Sequence, residues 1–276
     1  MQHGMPHQYQ EAARASSCIL KFKKNTHRQN NSLQTLEMFV CYGMITKFPM
    51  KLWRVLENLE TVVLHGCKSV QEVFQLDGLN QPKKELLSLF KTLNLEYVPE
   101  LRCTWKGPTH HVNLKSLTYL KLDGCSKLTS IFSPWLAESL VQLETLDISQ
   151  CKQLEHIIAE KDEERLYTFP GSHVRPVGLQ NLKTLKIYEC DRLTYIFPVS
   201  IAKNLLHLEE EISIASAAEL KQFFGKGESS VSSGVENDLL CQSEAYSSRL
   251  GYFCSGNSSA WRNLKKQSVR RRNTLQ

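Results

Sequence analysis

The residues of this sequence most capable of chemistry are its nine cysteines. None of them forms a C-x-x-C pair, and an odd number does not suit a disulfide framework. Four recur at one point of a repeated pattern, five residues after the start of a candidate strand: Cys67, Cys125, Cys151 and Cys190. Inward-facing backbone groups need partners where the chain turns there, and a small buried thiol supplies weak hydrogen bonds. The alternative, a metal site or a catalytic thiol, would need an exposed electropositive setting.

A phosphate-binding loop is the second feature that would indicate chemistry in this sequence. A phosphate-binding loop is Gly-rich and ends in Gly-Lys-Ser/Thr, so that a hydroxyl reaches magnesium. The nearest string here, Gly225-Lys226-Gly227-Glu228, continues with an acid. Acid-base residues are not clustered elsewhere. We therefore expect no cofactor, no metal and no enzymatic activity.

The four cysteines belong to a sequence repeat. Residues 113–132 (NLKSLTYLKLDGCSKLTSIF), 139–158 and 178–197 share the frame L-x-x-L-x-x-L-x-(L/I)-x-x-C-x-x-L-x-x-I, followed by an apolar residue. Residues 56–74 and 87–105 fit with one or two substitutions. Repeats of this length indicate a solenoid, in which each unit buries its apolar face against its neighbours.

A sixth copy is degenerate, with Leu208 one residue out of register, and a further candidate around Leu33, Leu36 and Phe39 is too degenerate to count. The strand starts are separated by 31, 27, 26, 39 and 27 residues. The step of 39 predicts a loop insertion at residues 159–178, which contain two prolines and two glycines. The predicted strand starts are Val62, Leu93, Leu120, Leu146, Leu185 and Ile212.

The L-x-L spacing sends both leucines to one face of an extended strand and the residue between them to the other. Stacked units then form a parallel sheet on the concave side of a curved solenoid. The fold class predicted is an α/β solenoid, a leucine-rich-repeat horseshoe with mostly irregular or short helical convex returns. The predicted domains are an N-terminal segment that is poorly ordered (1–32), a repeat domain of about six repeats (33–224) and a disordered Ser/Gly-rich basic tail (225–276).

The net charge of +6 is concentrated at the two ends of the sequence. Residues 1–50 and 225–276 each carry +4, whereas residues 51–224 carry −2. A nucleic-acid domain would place a basic stripe on its folded face, so we expect no specific nucleic-acid partner. No run of eighteen apolar residues and no signal-peptide pattern occur, which favours a cytoplasmic protein without a transmembrane segment.

The cysteine-bearing frame resembles the C-terminal repeats of plant intracellular disease-resistance proteins of the coiled-coil, nucleotide-binding, leucine-rich-repeat family. The phrases LKSLTYLKLDGCSKLTSIF and LKTLKIYECDRLTYIFPVSIAKNL carry the likeness, which covers about residues 33–224. The resemblance implies a protein partner: a pathogen effector, a host factor, or a nucleotide-binding switch domain that the repeats hold inactive. Because no phosphate loop is seen, nucleotide hydrolysis is not carried over, and the sequence looks like a repeat-only member or a fragment.

Outward strand positions are the predicted binding surface, since their side chains are not needed for the core. Tyr119 and Tyr188 are the preferred anchors because aromatic residues dominate binding energy. A merely solvated face is the alternative. The predicted concave-face contacts are His65, Asn94, Glu96, Tyr119, Lys121, Asp123, Asp147, Lys186 and Tyr188.

Two other charged segments and one other function remain open at this point. The acidic cluster Glu160–Glu164 could bind a basic partner or be a solvated loop. The basic end, with Lys265 and Lys266, could be a nuclear-localisation or phosphate-binding patch or have no role. Besides immune recognition, the repeats could serve a generic adaptor, for example the substrate-binding part of a ubiquitin-ligase complex.

Overall fold

The computed structural model describes residues 19–24, 33–39, 58–77, 85–159, 178–198 and 211–225, with residues 201, 204, 205 and 208 between the last two ranges. The acidic cluster Glu160–Glu164, nearly all of the predicted insertion and the basic tail lie outside the described residues.

Fourteen strands and one helix are described, numbered here in chain order. The elements are β1 (Ile19–Lys24), β2 (Leu33–Phe39), β3 (Thr61–His65), β4 (Glu72–Gln75), β5 (Thr92–Glu96), β6 (Cys103–Lys106), β7 (Tyr119–Asp123), β8 (Ser130–Phe132), α1 (Pro134–Glu138), β9 (Thr145–Ser149), β10 (His156–Ile158), β11 (Thr184–Tyr188), β12 (Tyr195–Pro198), β13 (Glu211–Ala215) and β14 (Gln222–Gly225).

The main sheet has eight strands in the order β1-β2-β3-β5-β7-β9-β11-β13. From β2 onward every pair is parallel, and equivalent leucines pair directly, as in Leu93 with Leu120 and Leu146 with Leu185. Burial alternates along each strand because the L-x-L leucines point into the core. The predicted leucine-rich-repeat solenoid and its parallel sheet are confirmed.

The convex returns differ in detail from the irregular or helical segments that the sequence predicts. Three short parallel pairs form there, β4 with β6, β8 with β10 and β12 with β14. Each return strand has two or three successive buried residues, such as Val73 and Phe74, and lies against the next coil. The ring of Phe74 stacks on that of Trp105 with centroids 4.6 Å apart. Neighbouring coils therefore hold each other on both sides of the core.

The helix α1 lies in a return that carries a helical start signal. The side chain of Ser133 caps it by accepting from the backbone N–H of Leu136, and Pro134 stands in its first turn. Both choices are favourable, since the cap satisfies a free N–H and proline has none to lose. The helix buries Leu136 and Ala137.

The N-terminal end of the sheet extends beyond the repeats counted from the sequence. β2, at the copy judged too degenerate, buries Leu36 and Met38 and pairs in parallel with β3. β1 then pairs antiparallel with β2, inside the segment that the sequence analysis places before the repeat domain. The described sheet thus contains seven parallel repeat strands where the sequence identifies six.

The long step between β9 and β11 leaves the sheet unbroken. The two strands pair in register from Thr145 with Thr184 to Ser149 with Tyr188. Gly178 begins the described segment that leads into β11, and an added Cβ there would overlap the carbonyl oxygen of Ala137 in α1. Only glycine allows this approach.

Candidate functional site

The outward side chains of β2, β3, β5, β7, β9, β11 and β13 form one surface, called the concave surface below. Pairing in register arranges them in three rows that cross the seven strands. The first row is Thr35, Thr61, Thr92, Tyr119, Thr145, Thr184 and Glu211. The central row is Glu37, Val63, Asn94, Lys121, Asp147, Lys186 and Ser213. The last row is Phe39, His65, Glu96, Asp123, Ser149, Tyr188 and Ala215.

A closed polar network occupies the N-terminal half of this surface, centred on Glu96. Its carboxylate accepts from Lys121 Nζ at 2.7 Å and from Asn94 Nδ2 at 3.2 Å, and it lies 3.1 Å from His65 Nδ1. The hydrogen bond from Lys121 is the main reason that the pKa of Glu96 is lowered, against the opposing effect of burial. The sequence places all four residues on one face, and the structure brings them into contact.

The four repeat cysteines lie on the other side of the sheet, in the core. Their thiols are fully buried and point at strand carbonyls, as in Cys151 Sγ to Ser149 O at 3.4 Å and Cys190 Sγ to Tyr188 O at 3.6 Å. Cys67 and Cys125 also reach carbonyls of the preceding coil, at Met38 and Leu95. The thiols of Cys67, Cys125 and Cys190 thus each link the turn that carries them to the preceding strand of the main sheet. Among the described residues, no group of three His, Cys, Asp or Glu side chains could hold a metal ion.

The comparisons with known proteins agree with this architecture. A family model described as plant disease resistance protein RPS2-like, leucine-rich repeats, matches residues 12–152 and 172–217, about two thirds of the chain. The chain belongs to this family. Searches of curated proteins and of solved structures found no match. The match passes over residues 153–171, which include most of the predicted insertion, and it begins upstream of β1.

Within this RPS2-like repeat region, Asp147 has an unusual electrostatic position. It lies between Lys121 and Lys186 in the central row. Each lysine, however, pairs with the carboxylate on its far side: Lys121 with Glu96 at 2.7 Å and Lys186 with Glu211 at 3.0 Å. Within the described part of the chain, the Asp147 carboxylate has no hydrogen bond. Burial raises its pKa, opposed by the charges of the two lysines.

The exposed aromatic residues of the repeat region include one that the sequence predicts and one that it misses. Tyr188 is 47% exposed at the end of β11. Its hydroxyl interacts with Glu189, and that contact raises the pKa of Tyr188. Tyr97, 51% exposed, follows β5 with a left-handed backbone at φ 54° and meets His65 edge-on at 5.5 Å between ring centroids. In the repeat frame Tyr97 aligns with Gly66 and Gly124, at a turn position with a left-handed backbone. That alignment is the sequence signal that could have identified it.

The structure also adds three side chains of β2 to the concave surface, Thr35, Glu37 and Phe39. Phe39, which the sequence analysis names in a candidate copy with Leu33 and Leu36, points outward, and its ring centroid lies 6.3 Å from that of His65. All nine predicted contact residues lie on the concave surface. Those that the structure brings into direct contact with one another are His65, Asn94, Glu96 and Lys121. In the described ranges, no helix is long and apolar enough to cross a membrane.

Proposed function

We propose that this chain is the protein-recognition region of a plant intracellular immune receptor, acting in the cytoplasm. The concave surface binds a protein, either a pathogen effector or host factor, or a nucleotide-binding switch domain that the repeats hold inactive. Membership of the RPS2-like leucine-rich-repeat family is the observation that carries the proposal. The protein binds its partner and catalyses no reaction.

The alternation of buried and outward residues along each strand supports this proposal. Alternate residues are fully buried and hold the stack together, while the outward residues between them are free to vary without opening the core. The Glu96 network fixes several of these outward side chains before any partner arrives. Pre-ordered side chains lose less conformational entropy on binding, which favours affinity.

Capture of proteins from plant extract tests the proposal, with three tagged forms of the full chain. The concave variant carries Tyr119→Ala, Lys186→Ala and Tyr188→Ala, and keeps Lys121 so that the carboxylate of Glu96 retains its ion pair. The matched control carries Lys127→Ala, Lys152→Ala and Arg192→Ala, at the turns after the repeat cysteines. Exposed ion pairs of the control, such as Lys127 with Glu100, contribute little to stability.

The expected result is that the wild type and the control capture the same proteins, while the concave variant loses them. Circular dichroism checks that all three forms fold. Truncating the two tyrosines should cost more affinity than truncating Lys186, because rim charges act mainly on association rate. Equal capture by the concave variant and the wild type would place recognition elsewhere on the chain. Recovery of ubiquitin-ligase subunits as the main partners would favour the adaptor function instead.

A further inference from the structure

The concave surface carries an excess of negative charge that the described residues do not balance. Its outward positions hold five carboxylates and two lysines, a net charge of −3. The two lysines are both engaged in ion pairs, with Glu96 and Glu211. No ion pair within the described residues engages the three remaining carboxylates, those of Glu37, Asp123 and Asp147. A cationic partner would therefore meet unpaired carboxylates and displace no existing pair.

The unpaired charge is best placed at Asp147. It lies directly between Lys121 and Lys186, whose ammonium groups are held by Glu96 and Glu211. Tyr119, Asp123 and Tyr188 lie one strand away and two residues along. Neighbouring strands are about 4.8 Å apart, and two residues along a strand span about 6.6 Å, which puts these diagonal positions about 8 Å from Asp147. A guanidinium or ammonium group at Asp147 could reach the Asp123 carboxylate and lie against a tyrosine ring. Carboxylates beside aromatic faces suit Arg and Lys side chains.

This chain contains a segment of the matching chemistry. Residues 262–272 (RNLKKQSVRRR) hold six basic residues and no acidic one. They lie beyond the part of the chain that the family model matches, which ends at residue 217. Thirty-six residues connect Gly225, at the end of β14, to Arg262. Fully extended, such a connection spans about 120 Å, whereas β13 and β9 are only two strand spacings apart, about 10 Å.

We propose that residues 262–272 bind the concave surface of their own chain over Asp147 and compete there with its protein partner. This inference rests on the proposed function for the identity of the competed site, but the intramolecular contact is independent of it. The basic segment is a tethered competitor whose effective concentration is set by the connection of thirty-six residues. A partner must therefore displace the segment before it occupies the concave surface.

Zero-length carbodiimide cross-linking of the full chain tests the contact, because it joins a lysine amine to a carboxylate only where the two touch. Light and ¹⁵N-labelled chains are mixed before cross-linking, and linked peptides are identified by mass spectrometry. The expected links join Lys265 or Lys266 to Asp147 or Asp123, within one isotopic species. Their yield should fall several-fold when salt is raised from 0.05 to 0.5 M, because exposed charges are then screened.

The matched pair of variants is Asp147→Asn and Asp191→Asn. Asp191 is an exposed aspartate at the turn after Cys190, off the concave surface. We expect Asp147→Asn to reduce all links from Lys265 and Lys266 to the concave surface several-fold, including those to Asp123, and Asp191→Asn to leave them unchanged. Both variants should keep the wild-type melting temperature, because both side chains point away from the core.

Three results would overturn the proposal. Links that join light to heavy chains would make a second copy the occupant. Links from Lys265 and Lys266 that go equally to convex carboxylates such as Glu100, or that are absent, would show that the segment does not bind this surface. Equal loss of links in Asp147→Asn and Asp191→Asn would show a general charge effect. None of these results would change the protein-capture experiment, so failure of this contact and failure of the proposed function are distinguishable.

Discussion

The turn before each repeat cysteine requires a left-handed backbone, and this requirement makes a sharp stability prediction. The residue just before the cysteine position has φ between 53° and 68° in all six described turns, at Gly66, Tyr97, Gly124, Gln150, Glu189 and Ser216. Glycine adopts this conformation freely, whereas other residues pay for it because their Cβ approaches a carbonyl oxygen. We predict that Gln150→Gly stabilises the protein.

The magnitude follows from two opposing effects. A non-glycine residue in the left-handed region costs about 1–2 kcal/mol, and glycine costs about 0.5–1 kcal/mol more backbone entropy on folding. The difference between these two costs is a net gain of about 0.5–1 kcal/mol. Gln150 is exposed and its side chain makes no hydrogen bond within the described residues, so little packing is lost. For a domain of this size, that gain raises Tm by about 1–4 °C.

Gln153 is the matched control, since it is an exposed glutamine in the same turn and is absent from the positive-φ positions. Gln153→Gly should lower Tm by a similar amount, because it adds chain entropy without relieving strain. Thermal melts of both variants and the wild type, followed by circular dichroism, measure the effect. A fall in Tm for Gln150→Gly that matches the fall for Gln153→Gly would refute the reasoning.

Two further predictions concern the buried thiols and the Glu96 network. Burial raises the pKa of Cys190 to about 12, and a hydrogen bond to a neighbouring repeat thiol together with burial raises the pKa of Cys151 well above its usual value. At pH 8 in the native protein, both thiols should resist alkylation longer than the thiol of the partly exposed Cys103. Faster labelling of Cys151 or Cys190 than of Cys103 would contradict this. Because the folded-state pKa of Glu96 is lowered, its contribution to stability is present above the unfolded pKa and is lost as pH falls through the folded pKa. The stability difference between wild type and Glu96→Gln in denaturant unfolding should therefore be constant near pH 7 and shrink below about pH 4.5, and a difference unchanged down to pH 3.5 would contradict the network.

The register of the sheet could be predicted from the sequence because the L-x-L pair and its cysteine recur together. Val62 and Leu93, for example, are predicted strand starts that pair directly. The frame carries the information, since a shift by one residue would send both leucines to solvent. Leu208 is out of register because it precedes the strand start Ile212 by four residues, not three, and it is buried all the same.

The missed strands fall into two kinds, since β2 carries that local signal and the return strands lack it. β2 has Leu36 and Met38 at the inward positions and Cys41 five residues after Leu36, so the frame is present in the sequence. The candidate copy of Leu33, Leu36 and Phe39 misses it because that copy places the strand start at Phe39, three residues too late. The return strands are three or four residues long and have consecutive buried residues, so they show no period of two. Their hydrogen-bond partners lie on the next coil. Such strands form because stacking brings neighbouring coils together. A short stretch of sequence contains no information about that contact between coils.

The concave surface illustrates where prediction from the sequence stops. Alternation along the strands is enough to assign Lys121, Asp147 and Lys186 to one outward row. It does not decide which of two neighbouring carboxylates each lysine contacts, because Lys121 has Glu96 on one side and Asp147 on the other. In the structure both lysines turn away from Asp147, so that Lys121 pairs with Glu96 and Lys186 pairs with Glu211. Charge that looks balanced along the row is therefore unbalanced at Asp147, and recognition should depend on the group left unpaired more than on the charges already paired.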